Sequence, residues 1–434
     1  MIDIQFIRDN PAEVREKAKQ KLVDIDIDAL LVLDTNRIDM LRQVESLRKK
    51  RNENSSKMSG GKPDQVIVDE GKQLKVELAE REQLLSKIEA DWLAQMKKVP
   101  NMPSDDTPIG ASEEENIVTE TIGEKPVFDF EPSSHWQIAQ ARNWLDKERG
   151  AKVAGSRFAY LKGELVHLQF GIVQYALSRL TDEKWLQNVA SKSSLEVSTK
   201  AFVPIIPPMM LKTEIFDGMG RLEPRDQRYK VGEPEDDLWM NGSAEHPIGS
   251  MYYKETLAEV DMPIRYIGYA TSFRREAGSY GKDMEGMLRM HQFDKLEMES
   301  FTTPFTSFNE HLFMIAIQKE LMNELGLHYQ VMLKCTADIG DPNARGVDIN
   351  TWMPGQNAYR ETHSADYMTD FQTRRMQTRI KMTDGTSVFA HTNDATALVL
   401  SRIPAVIIEQ FQTVDKKVVV PEVLRPFMGG RELL

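Results

Sequence analysis

The chain of 434 residues contains a single cysteine, Cys335. One cysteine excludes a disulfide bond within the chain, and its scarcity is typical of proteins that work in a reducing compartment. It also argues against a zinc site built from thiolates, although a site made only of histidines and carboxylates remains open. We therefore expect a cytoplasmic protein.

Long apolar runs are also missing. No stretch of the sequence approaches the roughly 20 apolar residues that a transmembrane helix needs. The opening, MIDIQFIRDNPAEV, contains acids and no apolar run, so it resembles neither a signal peptide nor a membrane anchor. These absences predict a protein with no membrane partner.

Positive charge is in deficit, because 55 lysines and arginines face 67 acids and the net charge is -12. Over the whole chain, this balance argues against a nucleic-acid partner. The distribution is uneven, since residues 42–62 hold two acids and seven basic residues: Arg42, Arg48, Lys49, Lys50, Arg51, Lys57 and Lys62. This segment is either the solvated face of a coiled coil or a phosphate-binding surface whose affinity falls with salt.

The first hundred residues show a helical pattern on both sides of the polar stretch NSSKMSGGKPD. Apolar residues recur at spacings of three and four at Leu30, Leu33, Met40, Val44 and Leu47, and again at Leu74, Leu78, Leu85, Ile88 and Trp92. The pattern predicts two antiparallel helices of roughly 28 residues, about 40 Å long. Gly60, Gly61 and Pro63 would form the turn. We assign residues 1–105 to this coiled-coil arm.

The rest of the chain has a different character. The segment from Pro100 to Glu131 is polar and rich in proline, which predicts a connector, assigned to 106–126. In the region 127–434, strand-like runs alternate with helical ones. Paired strand patterns favour an antiparallel β-sheet flanked by helices, and the predicted fold class is α+β.

The stretch FRREAGSYGKDMEGMLRMHQFDKLEME, from Phe273 to Glu299, carries the chemistry. Arg274 and Glu276 alternate on a predicted strand, and Phe293, Lys295 and Glu297 alternate on a second one after a glycine-rich loop. Such a hairpin would present a guanidinium for a phosphate, an aromatic face for a base and a carboxylate. On composition alone, a charged surface hairpin is the favoured interpretation.

The pattern Phe-Arg-x-Glu, closed by Gln-Phe-x-Lys-x-Glu, resembles the second motif of class II aminoacyl-tRNA synthetases, and within them the seryl-tRNA synthetase family. The similarity continues through six further blocks and covers nearly the whole chain. These blocks are VAGSRFAYLKGEL (153–165), PIIPPMML (204–211), SAEHPIG (243–249), WMPGQNAYRE (352–361), DFQTRRMQ (370–377) and PEVLRPFMGG (421–430). Ordered blocks with family spacing are far more specific than a lone motif.

The resemblance implies activation of L-serine by ATP with Mg²⁺, followed by transfer to tRNA. It implies catalytic roles for Arg274, Glu276 and Arg402. ATP would contact these three together with Arg275, Phe293, Glu361, Thr362, His363 and Ser364, and the Mg²⁺ that accompanies ATP would lie at Glu361 and Ser364. Serine would be held by Ser243, Ala244, Glu245, Glu297 and Thr396. During the reaction, such arginines neutralise the negative charge on the phosphate groups.

The resemblance also implies partners. The N-terminal arm would grip tRNA(Ser), and tRNA(Sec) where the organism has one, through Arg42, Arg48, Lys49, Lys50 and Arg51. The segment around Pro207 and Pro208 would form the interface of a homodimer.

Several positions depart from the family pattern. Ser243 replaces a threonine, Asp394 and Ala395 replace Asn-Gly, and Asn350 replaces an acid. The run His363, Ser364, Ala365, Asp366 replaces Ser-Ser-Cys-Ser. Asp394 would bring a negative charge near ATP. Two alternatives follow: a tRNA-binding pseudo-synthetase, or an amino acid ligase that acts on a carrier protein.

Overall fold

The computed structural model describes residues 1–57, 64–233, 235–276 and 286–434. The chain forms two compact units, 1–102 and 103–434. The expected turn at Gly60, Gly61 and Pro63 and the glycines of the expected loop, Gly278 and Gly281, lie outside the described residues. No helix in the described ranges is long and apolar enough to cross a membrane.

The first unit contains four helices, α1 (Ile4–Asp9), α2 (Pro11–Gln20), α3 (Ile27–Lys57) and α4 (Gln65–Met96). α3 and α4, with 31 and 32 residues, are somewhat longer than expected and extend about 47 Å each. Arg48 pairs with Glu82 at 2.8 Å, while Asn54 near the end of α3 donates to Glu70 near the start of α4 at 2.9 Å. This register makes the two helices antiparallel.

The apolar seam of the helix pair is the one that the spacing predicts. Val44, Leu47, Leu78 and Leu85 are buried between α3 and α4, with Met40, Leu41 and Leu74 packed beside them. The seam buries apolar side chains from both helices and so holds the pair together.

The second unit contains sixteen strands and nine α-helices within its described residues. The strands are β1 (Ile117–Ile122), β2 (Leu145–Asp146), β3 (Tyr160–Leu161), β4 (Val203–Ile205), β5 (Met210–Lys212), β6 (Lys230–Val231), β7 (Leu238–Met240), β8 (Thr256–Ala258), β9 (Ile264–Phe273), β10 (Gln292–Thr302), β11 (Tyr329–Leu333), β12 (Arg345–Met353), β13 (Ala358–Thr369), β14 (Arg379–Lys381), β15 (Ser387–Phe389) and β16 (His391–Val399). The helices are α5 (His135–Ala141), α6 (Lys147–Ala154), α7 (Glu164–Leu180), α8 (Glu183–Lys192), α9 (Thr213–Gly218), α10 (Glu245–Gly249), α11 (Ser307–Glu324), α12 (Phe371–Met376) and α13 (Arg402–Gln410).

An eight-stranded sheet organises this unit, in the order β1-β11-β12-β13-β16-β10-β9-β4. Its strands pair antiparallel, except that β4 runs parallel to β9. The apolar core lies between the sheet and helices that include α7, α11 and α13. The α+β fold class is confirmed.

The segment 106–126, expected as a connector, lies in the second unit and supplies β1 to the sheet edge. The side chains of β1 are mostly exposed, so the strand is held by backbone pairing with β11 rather than by an apolar face. That is why its sequence resembles a loop.

A buried ion pair ties α11 to β9. Arg265 donates from Nε and Nη2 to the two carboxylate oxygens of Glu310 at 2.6 Å, while Nη1 donates to the carbonyl oxygen of Lys200 at 2.7 Å and Nη2 also donates to that of Ser198 at 2.8 Å. Arg265 and Glu310 are almost completely buried. With each polar atom partnered, this pair avoids the usual penalty for a buried charge.

Candidate active site

β9 and β10 form the hairpin that the second class motif predicts, with Gln292 opposite Phe273 and Phe293 opposite Ser272. The expected alternation of Arg274 and Glu276 along a strand is not observed, because β9 ends at Phe273 and Glu276 has a positive φ of 52°. The two residues lie just beyond the strand. There Arg274 Nε donates to the carbonyl oxygen of Gly242 at 3.0 Å, and Glu276 pairs with Arg289 at 3.2 Å.

A cavity of about 80 Å³ opens over this end of the sheet. Its lining includes Arg274, Glu276, Phe293, Lys295, Glu361, Thr362, Ser364, Thr396 and Arg402. These residues come from the ends of four neighbouring elements, β10, β13, β16 and α13, together with the segment after β9. The sheet thereby gathers residues that are up to 128 positions apart in the chain.

A second cavity of about 100 Å³ shares Met290, Phe293 and Ser401 with the first. The guanidinium of Arg274 lies 5.4 Å from the centroid of the Phe293 ring. A cation over an aromatic face beside an apolar recess can hold a planar ring and a phosphate side by side.

Arg402, at the start of α13, contacts Glu361 rather than the Phe293 ring. Its Nη1 lies 3.0 Å from Glu361 Oε1 and donates to the Glu361 carbonyl oxygen at 2.9 Å. Burial opposes ionisation of Glu361, but Arg402, Lys334 and Arg274 more than offset it, so the pKa of Glu361 is lowered. The ionised carboxylate and the Ser364 hydroxyl are hard oxygen donors of the kind that Mg²⁺ takes.

Arg360, the residue before Glu361 on β13, donates from Nε to Gln356 Oε1 at 2.9 Å. A strand directs adjacent side chains to opposite faces, which separates Arg360 from Glu361.

Glu297 and Thr396 meet across β10 and β16, where they occupy paired positions. Thr396 Oγ1 donates to Glu297 Oε1 at 3.5 Å, and Lys295 Nζ lies 2.5 Å from Glu297 Oε2. Glu297 is completely buried, and burial raises its pKa to about 7 despite the lysine. A buried carboxylate between a hydroxyl and an ammonium can accept a hydrogen bond from a small polar ligand.

Glu245 lies nearby at the start of α10. Ser243 Oγ donates to Glu245 Oε2 at 3.1 Å, and Arg221 Nε lies 3.2 Å from Glu245 Oε1. Burial opposes ionisation, yet Arg221 and the His246 hydrogen bond hold the pKa of Glu245 well below its usual range. Ala244 packs against Ile248 and Ala270, so its side chain has an apolar environment.

The comparisons with known proteins identify the family of the chain. Residues 229–411 match the tRNA synthetase class II core domain (G, H, P, S and T), and residues 1–103 match the seryl-tRNA synthetase N-terminal domain. The serine--tRNA ligase of Thermodesulfovibrio yellowstonii is 35% identical over 439 residues, covering 99% of each chain. The chain belongs to the seryl-tRNA synthetase family. The resemblance found in the sequence is thus confirmed.

Two solved structures of the family cover the whole of this chain. Seryl-tRNA synthetase from Pyrococcus horikoshii, complexed with ATP, aligns with a TM-score of 0.86 at 30% identity and is covered over 99% of its length. The cytoplasmic serine-tRNA ligase of Naegleria fowleri, in complex with AMP, aligns with a TM-score of 0.83 at 25% identity, covering 98% of that chain. Both structures hold an adenine nucleotide.

Two residues expected at the ATP site of a seryl-tRNA synthetase lie away from the cavity lining. Arg275 lies 5.2 Å from the Tyr229 ring centroid, and its backbone N–H donates to Gln227. His363 is buried beside the Thr362 hydroxyl at 2.9 Å, and burial lowers its pKa to about 3. The imidazole is therefore neutral and cannot act as a cation for phosphate.

Asp394 does not enter the nucleotide cavity, contrary to the expectation from its place in the family motif. It is buried, and one of its carboxylate oxygens lies within 4.8 Å of oxygens of Glu245 and Glu297. Its partner is Arg221, at 3.5 Å, a residue that sequence reasoning missed. Arg221 sits in the irregular segment GMGRLEP, where no periodicity marks it.

The basic residues expected to bind tRNA, Arg42, Arg48, Lys49, Lys50 and Arg51, are all exposed on α3. Arg48 and Arg42 are engaged in ion pairs, with Glu82 and Asp39. Lys49 and Lys50 have no ion-pair partner within the described part of the chain. They offer the most available positive charge on this helix.

Proposed function

We propose that the chain is a serine-tRNA ligase, which activates L-serine with ATP to seryl-adenylate and transfers the seryl group to the 3′ end of tRNA(Ser). One observation carries the proposal: a single cavity is lined by Arg274, Phe293, Arg402 and Thr396, and Thr396 donates a hydrogen bond to the buried Glu297. Relatives named serine--tRNA ligase match essentially the full length of the chain. The family structures with ATP and AMP support an adenine nucleotide as the second ligand.

The nucleotide half of the site stabilises negative charge. Arg274 would contact the α-phosphate while its guanidinium remains over Phe293, and Arg402 would contact the outer phosphates of ATP. Both arginines act most strongly as charge develops on the phosphoryl oxygens, so they favour the transition state over the ground state. Glu276, held by Arg289, would face the nucleotide at the cavity rim.

Glu361 and Ser364 would hold the Mg²⁺ that accompanies ATP. The metal would supply charge neutralisation on the phosphates. Before ATP arrives, Arg402 neutralises Glu361 at 3.0 Å. With Glu361 engaged by Mg²⁺, Arg402 would be free to contact the phosphates.

The amino-acid half recognises a hydroxyl and an ammonium group. Glu297 and Thr396 would bind the serine hydroxyl, and Ser243 and Glu245 would receive the ammonium. An amino acid without the hydroxyl leaves these buried polar groups unpaired, which is the physical basis of discrimination against alanine and glycine.

The partners follow from the remaining surfaces. The exposed basic residues of α3 would bind the tRNA backbone, tRNA(Sec) as well as tRNA(Ser). Exposed apolar side chains around β4 and β5, namely Val203, Ile206, Met209 and Met210, support a homodimer interface there. A reducing cytoplasm suits a chain whose only cysteine is free and buried.

The experiment that tests this function is charging of a tRNA(Ser) transcript with labelled serine in the presence of ATP and Mg²⁺. The proposal predicts acid-precipitable seryl-tRNA with serine and none with alanine. Label on a carrier protein, but not on tRNA, would favour the carrier-ligase alternative. A chain that binds the transcript but neither activates nor transfers serine would be the pseudo-synthetase.

A further inference from the structure

Two of the departures from the family pattern, Asp366 and Asp394, converge on one half-buried arginine. Arg221 Nη2 lies 3.5 Å from an oxygen of each aspartate, while its Nε lies 3.2 Å from Glu245. Asp366 and Asp394 occupy directly paired positions on β13 and β16. The two unusual acids and the arginine therefore form one unit beside the expected ammonium site.

Acidic side chains outnumber basic ones at this place. Arg221 faces Glu245, Asp366 and Asp394, and Glu299, which is paired with Asp394 across the sheet, is also buried. Glu299 Oε1 has no hydrogen-bond partner within the described ranges. Buried acids without enough cations are costly, so the unit is suited to a further positive group.

The geometry also indicates what that group is. One oxygen from each of Glu245, Glu297 and Asp394 lies within 4.8 Å of the others. Glu297 and Glu245 are the residues already proposed to hold serine. With Glu297 assigned to the hydroxyl, Glu245 and Asp394 remain for a group that has several N–H donors and no acceptor, which describes a primary ammonium.

We propose that Asp394 is a second carboxylate, beside Glu245, for the α-ammonium group of the amino-acid substrate, and that Arg221 is a positioning residue that keeps Asp394 and Glu245 in place. This inference rests on the proposed activation of serine. It assigns a role to a residue that differs from the asparagine of the family motif.

The test is Asp394→Asn, which has nearly the same shape and restores the family residue. ATP–pyrophosphate exchange is measured at varied serine and at varied ATP. Loss of one charged hydrogen bond predicts a KM for serine raised about ten- to hundredfold. The KM for ATP and kcat should stay within about twofold of wild type, since no reaction-specific contact is lost.

Asp366→Asn is the matched control, because it removes the other aspartate on Arg221 without touching the three convergent oxygens. Its effect on the KM for serine should be much smaller than that of Asp394→Asn. Equal effects of the two variants would overturn the assignment, as would an unchanged KM for serine in Asp394→Asn.

Arg221 is tested by Arg221→Gln and Arg221→Lys. We expect Arg221→Gln to raise the KM for serine and Arg221→Lys to restore much of it. Arg221→Gln combined with Asp394→Asn should be no worse than Arg221→Gln alone, because the two changes act on the same interaction. Fully additive losses would contradict the positioning role. If the wild-type chain shows no serine-dependent exchange, the proposed function itself fails, and this inference with it.

Discussion

Replacing Glu297 by glutamine should weaken the preference for serine over alanine. The substitution keeps the shape of a completely buried side chain but removes the charge that faces Thr396 at 3.5 Å and Lys295 at 2.5 Å. Serine then loses a charged hydrogen bond through its hydroxyl, whereas alanine has no hydroxyl to lose.

The magnitude follows from the value of such a bond. A hydrogen bond to a charged group contributes about 1.5–3 kcal/mol, which corresponds to about ten- to hundredfold in kcat/KM. We therefore expect kcat/KM for serine to fall by about that factor. The kcat/KM for alanine should change by less than about threefold. The ratio of kcat/KM for serine to kcat/KM for alanine should therefore fall about ten- to hundredfold.

The assay is ATP–pyrophosphate exchange with serine, alanine and glycine, for wild type and Glu297→Gln. Glu310→Gln is the matched control, because it also removes one charge of a buried glutamate–cation pair, on β9 and α11 rather than at the pocket. Glu310→Gln should keep the wild-type ratio. If folded Glu297→Gln keeps a serine-to-alanine ratio of kcat/KM within twofold of wild type, Glu297 does not recognise the serine hydroxyl.

Three further predictions address stability, pH and tRNA. Glu310→Gln leaves the Arg265 guanidinium uncompensated, so the free energy of unfolding in urea should fall by about 3–5 kcal/mol, and a loss below about 1 kcal/mol would contradict this. Glu297 ionises as the pH rises through about 7, so kcat/KM for serine should increase from pH 6 to pH 8, and a flat profile in wild type would count against it. Replacing Lys49 and Lys50 by alanine should raise the KM for tRNA and flatten its salt dependence while pyrophosphate exchange is unchanged, whereas equal loss of both activities would argue against a separate tRNA arm.

The elements that follow a repeating pattern could be predicted from the sequence. The seam of α3 and α4 repeats every three or four residues, and its buried members Val44, Leu47, Leu78 and Leu85 are all among the predicted positions. The β9–β10 pairing followed from alternation around Phe293. In both cases local periodicity carries the information.

A strand held by backbone hydrogen bonds and ion pairs between residues far apart in the sequence were not predicted. β1 has an exposed, polar sequence and exists because β11 supplies its hydrogen-bond partners. Arg221 meets Asp366 and Asp394 only because the sheet brings together residues 145 and 173 positions away. The sequence around Asp394 does not indicate that its carboxylate lies outside the nucleotide cavity.

The proposed function requires that the site bring an adenine nucleotide and serine together. ATP–pyrophosphate exchange without tRNA, with each of the twenty amino acids in turn, tests this directly. We expect exchange that depends on serine and on no other amino acid at comparable concentration. Exchange with a different amino acid, or with none, would contradict it.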